Sequence, residues 1–232
     1  MRFSIITGTY NQRQLLEKLY EALGRQTFKD FEWIVCDDGS NDGTKQYIKS
    51  LRAPFPIKYV SNIKIIKHSR YSRALNKGIK KAVGEQCVFI SGDSFPEVNF
   101  LEQINEYVDQ DCVVCGVRIQ LDGGQAVDVD WRLKKYSIPS EAKILPSEPY
   151  ARVTGNGIAI PRQAFEEIGL WNEKFVGYGG EDNDLFIRLY FNGYVFWSVP
   201  EAIIYHNWHP AKTSEHIKEV TKTINYFLYE RA

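Results

Sequence analysis

Three carboxylates, Glu181, Asp182 and Asp184, stand within four positions directly behind the run Gly177-Tyr178-Gly179-Gly180. An acid at a helix start complements the positive end of the dipole, but one acid suffices for that. Three of them point to a catalytic or binding site. The glycine pair removes side chains just before them and lets a bulky polar ligand approach the backbone. Leu185, Phe186, Leu189 and Tyr190 then recur on one helical face, and Asn192-Gly193 supplies a stop. Further acids occur in Asp37-Asp38-Gly39-Ser40 and in Ser91-Gly92-Asp93. A carboxylate in the first group can accept a hydrogen bond from a base or a sugar hydroxyl, or can simply shape a turn. Asp93 is an oxygen donor suited to Mg²⁺ or Mn²⁺, and His206 or His209 offers an imidazole that transition metals accept. Arg70 and Arg73 open a basic segment from which they could reach a diphosphate; Lys77, Lys80 and Lys81 beyond them read mainly as a solvated face.

The elements that must position these residues alternate along the chain. Apolar runs predict strands at 3–7, 33–36, 57–60, 88–90 and 112–117. Helical periodicity predicts helices at 12–23, from Thr44 to about Leu51, at 70–83 and at 98–108. Residues 121–150 carry no clear periodicity. Strand character returns over 153–160, Pro161 is expected to open a short helix, and short strands are expected at 195–199 and 203–205. Residues 213–230 read as a closing amphipathic helix packed on the core. Strands alternating with helices imply an α/β fold with a parallel, doubly wound sheet. Ligands bind such sheets off the carboxyl ends of the strands, where Asp37, Asp38 and Asp93 all fall.

At 232 residues the chain can bury a sizeable core, and its 29 basic and 29 acidic residues cancel, which argues against a nucleic-acid partner or a membrane-surface field. Cys36, Cys87, Cys112 and Cys115 all lie in or beside apolar runs. The lone C-x-x-C of the last two has no second ligand pair for zinc, so buried, reduced thiols are expected. With no leader and no apolar run of membrane-spanning length, a soluble cytoplasmic protein without a transmembrane segment is expected.

Taken together, these residues resemble family 2 glycosyltransferases of the GT-A fold, over 3–210. The likeness begins with Ile5-Ile6-Thr7-Gly8-Thr9-Tyr10-Asn11. It continues through Gln26-Thr27-Phe28, Asp37-Asp38-Gly39-Ser40 and Asp42-Gly43-Thr44. Tyr71-Ser72-Arg73-Ala74 with Asn76 and Gly78 is similar to the segment whose arginine approaches the nucleotide. Ser91-Gly92-Asp93 stands where the family has its Asp-x-Asp metal motif, with Ser91 replacing the first aspartate. Gly179-Gly180-Glu181-Asp182 resembles the branch of the β-1,4-galactosyltransferases, polypeptide N-acetylgalactosaminyltransferases and bacterial chondroitin polymerases.

The resemblance implies a Rossmann-like single domain over 1–210, with a mixed, mostly parallel sheet. Its nucleotide-sugar half is 1–97, its acceptor and catalytic half 98–210, and a C-terminal helix covers 211–232. Thr9, Tyr10, Asn11, Asp38, Tyr71, Arg73 and Asp93 would bind a UDP-sugar. Asp93 and His206 would hold Mn²⁺ or Mg²⁺. Asp182 would act as the general base of an inverting transfer, beside Glu181. Glu181, Gly180, Tyr178 and Trp208 would meet a saccharide or glycolipid acceptor, and a lipid-linked acceptor would bring the protein to a membrane surface. The Gly-Gly-Glu-Asp signature also occurs in a retaining branch. The altered Ser91 leaves open a non-catalytic nucleotide-sugar or glycan-binding domain. A nucleotidyltransferase with a similar sheet is the third alternative, although no glycine-rich phosphate loop follows the first strand.

Overall fold

A computed structural model describes residues 1–62, 70–130, 135, 139–145, 148–175 and 180–207. Strand β1 (Phe3–Thr9), helix α1 (Arg13–Arg25), β2 (Phe31–Asp37), α2 (Thr44–Ser50), β3 (Ile57–Ser61), α3 (Tyr71–Ile79) and β4 (Gln86–Phe89) follow one another in the first half. Every residue of β1 and β2 is buried, because helices cover both faces of the sheet. Their sequences therefore read as nearly continuous apolar runs rather than as alternation. β1 runs parallel to β2 from Phe3↔Phe31 to Thr9↔Asp37 and parallel to β4 from Phe3↔Gln86 to Ile6↔Phe89. That register brings Thr9, Asp37 and the chain leaving β4 to one rim of the sheet.

The second half supplies β5 (Ser94–Pro96), α4 (Phe100–Asn105), β6 (Cys112–Asp122), β7 (Gln125–Val129), β8 (Lys143–Ile144) and β9 (Ile158–Pro161). Helices α5 (Ala164–Glu167) and α6 (Glu181–Phe191) and strand β10 (Val195–Asn207) complete it. The strand order is β3-β2-β1-β4-β9-β6-β10-β5, with β7 on β6 and β8 on β10. Only β9 and β5 run against the other strands of that path, so the sheet is mixed but mostly parallel. Side chains alternate between two cores: Phe3 and Ile5 join Leu16, Leu19, Leu23 and Phe100 on one face. Ile6 joins Ala74, Leu75, Leu185, Phe186 and Leu189 on the other.

Several expectations need correction. Helix α3 stops at Ile79, and α4 covers only Phe100–Asn105. Pro161 ends β9 instead of opening a helix, and residues 153–157 form a turn. The two expected C-terminal strands are one strand, β10, with a register shift between Ser198 and Ile203. Pro200 lies in that gap and has no N–H to give the ladder. Part of the aperiodic stretch is a hairpin, β6 paired with β7. Its strand is exposed, so it lacks the half-buried pattern that betrays a strand in sequence. Tyr190 is turned out of the core and meets Tyr150 and Phe191 edge-on. The closing helix at 213–230 lies outside the described residues. No described helix is long and apolar enough to cross a membrane.

Glu32 is a buried carboxylate on β2, held by Lys58 Nζ at 2.6 Å, Ser4 Oγ at 2.7 Å and the Val83 N–H at 2.9 Å. Burial alone would raise its pKa. The bonds from Lys58, Ser4 and Val83 outweigh burial and lower it from the ordinary 4.5. A depressed folded pKa contributes stability that is complete above the unfolded value and lost as pH falls through the folded one. Urea unfolding of the wild type should therefore weaken below about pH 4.5, and Glu32→Gln should flatten part of that acid limb. An identical acid limb in the variant would contradict this role for Glu32.

Candidate functional site

At the rim of the parallel half, neighbouring acids have divided roles. Asp37 Oδ1 accepts from the Gly39 and Ser40 amides and from Ser40 Oγ, at 3.0, 2.8 and 2.7 Å, while Oδ2 accepts from Tyr59 Oη. It shapes the loop, as the turn reading allowed. Asp38 is also buried, but it reaches across the rim: Oδ1 accepts from Asn62 Nδ2 at 2.9 Å and Oδ2 from the Arg70 N–H at 2.8 Å. Its own amide donates to the Thr9 carbonyl at 2.9 Å. The next loop is stapled to this one. Asn11, in the left-handed region at φ 52°, donates its N–H to Ser40 Oγ at 2.8 Å and accepts from the Asn41 N–H at 2.9 Å. Tyr10 between them is exposed, so its ring stands at the lip of the rim. Thr9, Tyr10, Asn11 and Asp38 are thus assembled in one place.

Gln12, which the sequence did not single out, links that loop to Asp93. Its Oε1 accepts from Thr9 Oγ1, and its Nε2 donates to Asp93 Oδ2, both at 3.2 Å. Asp93 Oδ1 lies 3.6 Å from His206 Nε2, and His206 Nδ1 lies 2.7 Å from Gln120 Oε1. The pairing of Asp93 with His206 follows from β10 running antiparallel to β5, with His206 opposite Ser94. Among the described residues, no group of three or more His, Cys, Asp or Glu side chains could enclose a metal. A two-donor set fits Mg²⁺ or Mn²⁺, hard cations that keep waters and substrate phosphates as further ligands. It does not fit a structural zinc site, which is closed by four protein ligands.

The altered Ser91 has a partner. Tyr71, at the start of α3, lies so close over Gly8 that a Cβ there would stand 2.1 Å from its ring. Its hydroxyl is in hydrogen-bonding range of Ser91. Burial first, and then the charges of Asp93 and Glu181, push the phenol pKa far up against the Ser91 bond. The Tyr71–Ser91 pair is therefore neutral, and Asp93 supplies the charge of the motif. Arg73 does not join this group: it lies on α3 with its side chain exposed.

The third component is α6. Gly180, at φ 87°, precedes its first residue in a left-handed conformation that glycine adopts without steric cost, and its carbonyl accepts from the Asp184 N–H at 3.1 Å. Asp184 belongs to the scaffold. It is bonded to Arg188 at 2.8 and 2.9 Å, and Arg188 in turn donates to the carbonyls of Ile168, Gly169 and Leu170. Asp182 instead packs on the 153–157 turn. A Cβ on Gly155 would stand 3.2 Å from Asp182 Cβ and 3.7 Å from its Oδ2. The next residue, Asn156, straddles the loop that carries Asp93. Its Oδ1 accepts from the Ser91 N–H at 3.0 Å, and its Nδ2 donates to Ser94 Oγ at 2.7 Å. Asp182 is in this way connected through Gly155 and Asn156 to the loop that carries Asp93. Only the cluster Thr154-Gly155-Asn156-Gly157 hinted at this in the sequence. Tyr178, Gly179, Trp208 and His209 lie outside the described residues.

Comparison with known proteins bears on the family and the fold. The family model described as glycosyl transferase family 2 matches residues 4–169. A second model, described as the N-terminal domain of galactosyltransferase, matches residues 140–210. Chondroitin synthase of Escherichia coli is 24% identical over 98% of this chain and 38% of its own length. Hyaluronan synthase of Pasteurella multocida is 25% identical over 95% and 26%. A Campylobacter jejuni GalNAc(5)-diNAcBac-PP-undecaprenol beta-1,3-glucosyltransferase is 28% identical over 82% and 60%. The chain thus spans roughly a quarter to two-fifths of the length of the two synthases. Among solved structures, Staphylococcus aureus TarS 1-349 in complex with UDP-GlcNAc has a TM-score of 0.74 over 97% of this chain and 65% of that one. The two are 20% identical, a likeness of fold.

If Asn156 ties the turn to the loop that carries Asp93, Asn156→Ala leaves the Ser91 amide and the Ser94 hydroxyl without their buried partner. Unfolding free energy should fall by about 1–3 kcal/mol in urea titrations. A variant as stable as the wild type would show that the bridge contributes nothing.

Proposed function

Because the chain belongs to glycosyl transferase family 2, we propose that it is a metal-dependent, inverting glycosyltransferase. It would move a hexose or N-acetylhexosamine from a UDP-sugar to a saccharide acceptor in polysaccharide or glycoconjugate synthesis. The observation that carries this reading is the turn that seats Asp182 on Gly155 and, through Asn156, holds the Asp93 loop. In this reading the turn relates a base for an acceptor hydroxyl to the loop that would meet a charged leaving group. The UDP-GlcNAc complex of TarS and the named activities of the synthases support the donor class. The Campylobacter relative supports an acceptor on a lipid carrier. The four free cysteines fit a reducing compartment such as the cytoplasm.

In this mechanism Thr9, Tyr10, Asn11 and Asp38 hold the uracil and ribose. Arg73 offers its guanidinium to the phosphates from its exposed position on α3. Asp93 and His206 would hold Mn²⁺ or Mg²⁺, which when bound offsets the charge that grows on the diphosphate. Glu181 holds acceptor hydroxyls, with Gly180, Tyr178 and Trp208 assigned to the same sugar. Asp182 takes the proton of the attacking hydroxyl while its oxygen bonds to the anomeric carbon from the far side. The bond from that carbon to the diphosphate breaks, and UDP leaves with the electron pair.

Calorimetry of UDP with and without Mn²⁺ tests the donor site: binding should require the metal and be lost in Asp93→Ala. Absence of UDP binding under both conditions would overturn the donor class. Asp182→Asn should keep UDP affinity and lower kcat by roughly 10²–10⁴-fold. Unchanged turnover would remove Asp182 as the base. The anomeric configuration of the product, read by NMR, should be inverted, and retention would reassign the chemistry to the retaining branch. The altered Ser91 favours one second reading, a nucleotide-sugar or glycan-binding domain, which predicts ligand binding with no turnover by the wild type.

The contact on Gly155 gives a separate test. Gly155 is not in the left-handed region, so alanine fits its backbone, but the new methyl stands 3.2 Å from Asp182 Cβ. Gly155→Ala should lower kcat about tenfold or more through misplacement of the base, with the donor KM unchanged. A loss confined to donor KM would argue that Gly155 serves the nucleotide side.

A further inference from the structure

Gln120 has no part in the reading above, yet its Oε1 lies 2.7 Å from His206 Nδ1. The contact is built into the sheet. β6 and β10 run parallel with Gln120 directly opposite His206, in a ladder that continues from Ile203↔Val117 to Asn207↔Leu121. The 86 residues between the two side chains are closed by that ladder, so both backbones are fixed before the side chains meet. With its oxygen turned to the ring the Gln120 amide accepts, so the contact selects the tautomer with the proton on His206 Nδ1. In the neutral ring the lone pair is then on Nε2, and Nε2 is the atom that faces Asp93 Oδ1 at 3.6 Å. Two acceptors face each other there, an arrangement that a cation between them would relieve.

We propose that Gln120 is a positioning residue that locks His206 in the Nδ1–H tautomer and so presents Nε2, together with Asp93, as a ready-made pair of metal donors. Without this contact the Nε2–H form is available, and its proton points at the Asp93 carboxylate. A hydrogen bond between the two would then use both groups up. Outer partners of this kind orient ligating histidines and set their tautomer. The tautomer stands on the described contact alone, whereas its consequence for metal rests on the function proposed above.

The test uses the full chain labelled with ¹⁵N. The tautomer is read from the ring nitrogens of His206 in metal-free protein about two pH units above the ordinary histidine pKa of ~6.5. The wild type should show the Nδ1–H form, Gln120→Leu the Nε2–H form, and Gln120→Glu the Nδ1–H form again. In calorimetry with UDP present, Gln120→Leu should bind Mn²⁺ roughly 10–100-fold more weakly, with Gln120→Glu close to wild type. Unchanged thermal unfolding of both variants excludes a general loss of structure. A wild-type ring protonated on Nε2, or a Gln120→Leu variant with unaltered tautomer and Mn²⁺ affinity, would overturn the proposal. If the wild type bound no Mn²⁺ while showing the expected tautomers, the metal reading would fail and the lock would stand.

Discussion

The carboxamide of Asn156 bridges the two halves of the site. Its oxygen takes the Ser91 amide and its nitrogen reaches Ser94 Oγ, so the two residues between them, Gly92 and Asp93, are held from both sides. Asn156 is buried, and an unmade hydrogen bond there would cost the desolvation of each group left behind. The same turn carries Gly155, on which Asp182 packs. It also enters β9, whose pairing runs against β4 on one side and β6 on the other. One short turn therefore relates the parallel half of the sheet, the rim that carries Asp93, and the first turn of α6.

Around this bridge, polar side chains reach across the rim where the strands end. Asp38 closes the space between the end of β3 and the start of α3, and Gln12 connects Thr9 to Asp93. Because β1, β2 and β3 are parallel and in register, their carboxyl ends arrive together, and the loops beyond them can share hydrogen bonds. Asp37 and Asp38 are adjacent in sequence yet serve different ends. Asp37 is consumed by its own turn and Tyr59, while Asp38 braces the far side.

The electrostatics of the Ser91-Gly92-Asp93 loop rest on a single charge. Ser91 brings no charge, and the hydroxyl next to it, from Tyr71, is held neutral by burial and by the acids around it. Tyr71 can take that position because residue 8 is glycine; any side chain there would collide with its ring. The charge of the motif is thereby concentrated on Asp93, opposite an imidazole whose orientation β6 controls through Gln120.

The alternation of strands and helices, the acids at strand ends and the acidic helix start were all legible in the sequence. Each is a local pattern: apolar periodicity within a dozen residues, or a turn residue next to an apolar run. The exposed hairpin strand β7 was not legible, because no buried face imposed a pattern on it. Neither was the difference between Asp182 and Asp184, two acids of one helix turn, of which one faces Gly155 and the other is neutralised by Arg188. The amino-acid sequence by itself determined which residues could do chemistry and that the strands would deliver them to one rim. Only the tertiary structure decided their partners. The bonds that do so join Ser91 to Asn156, Gln12 to Asp93 and Gln120 to His206, across 65, 81 and 86 residues of chain. Hydrogen bonds of that span leave no periodic trace in sequence, since each depends on the sheet register that brings two distant groups within 3.2 Å.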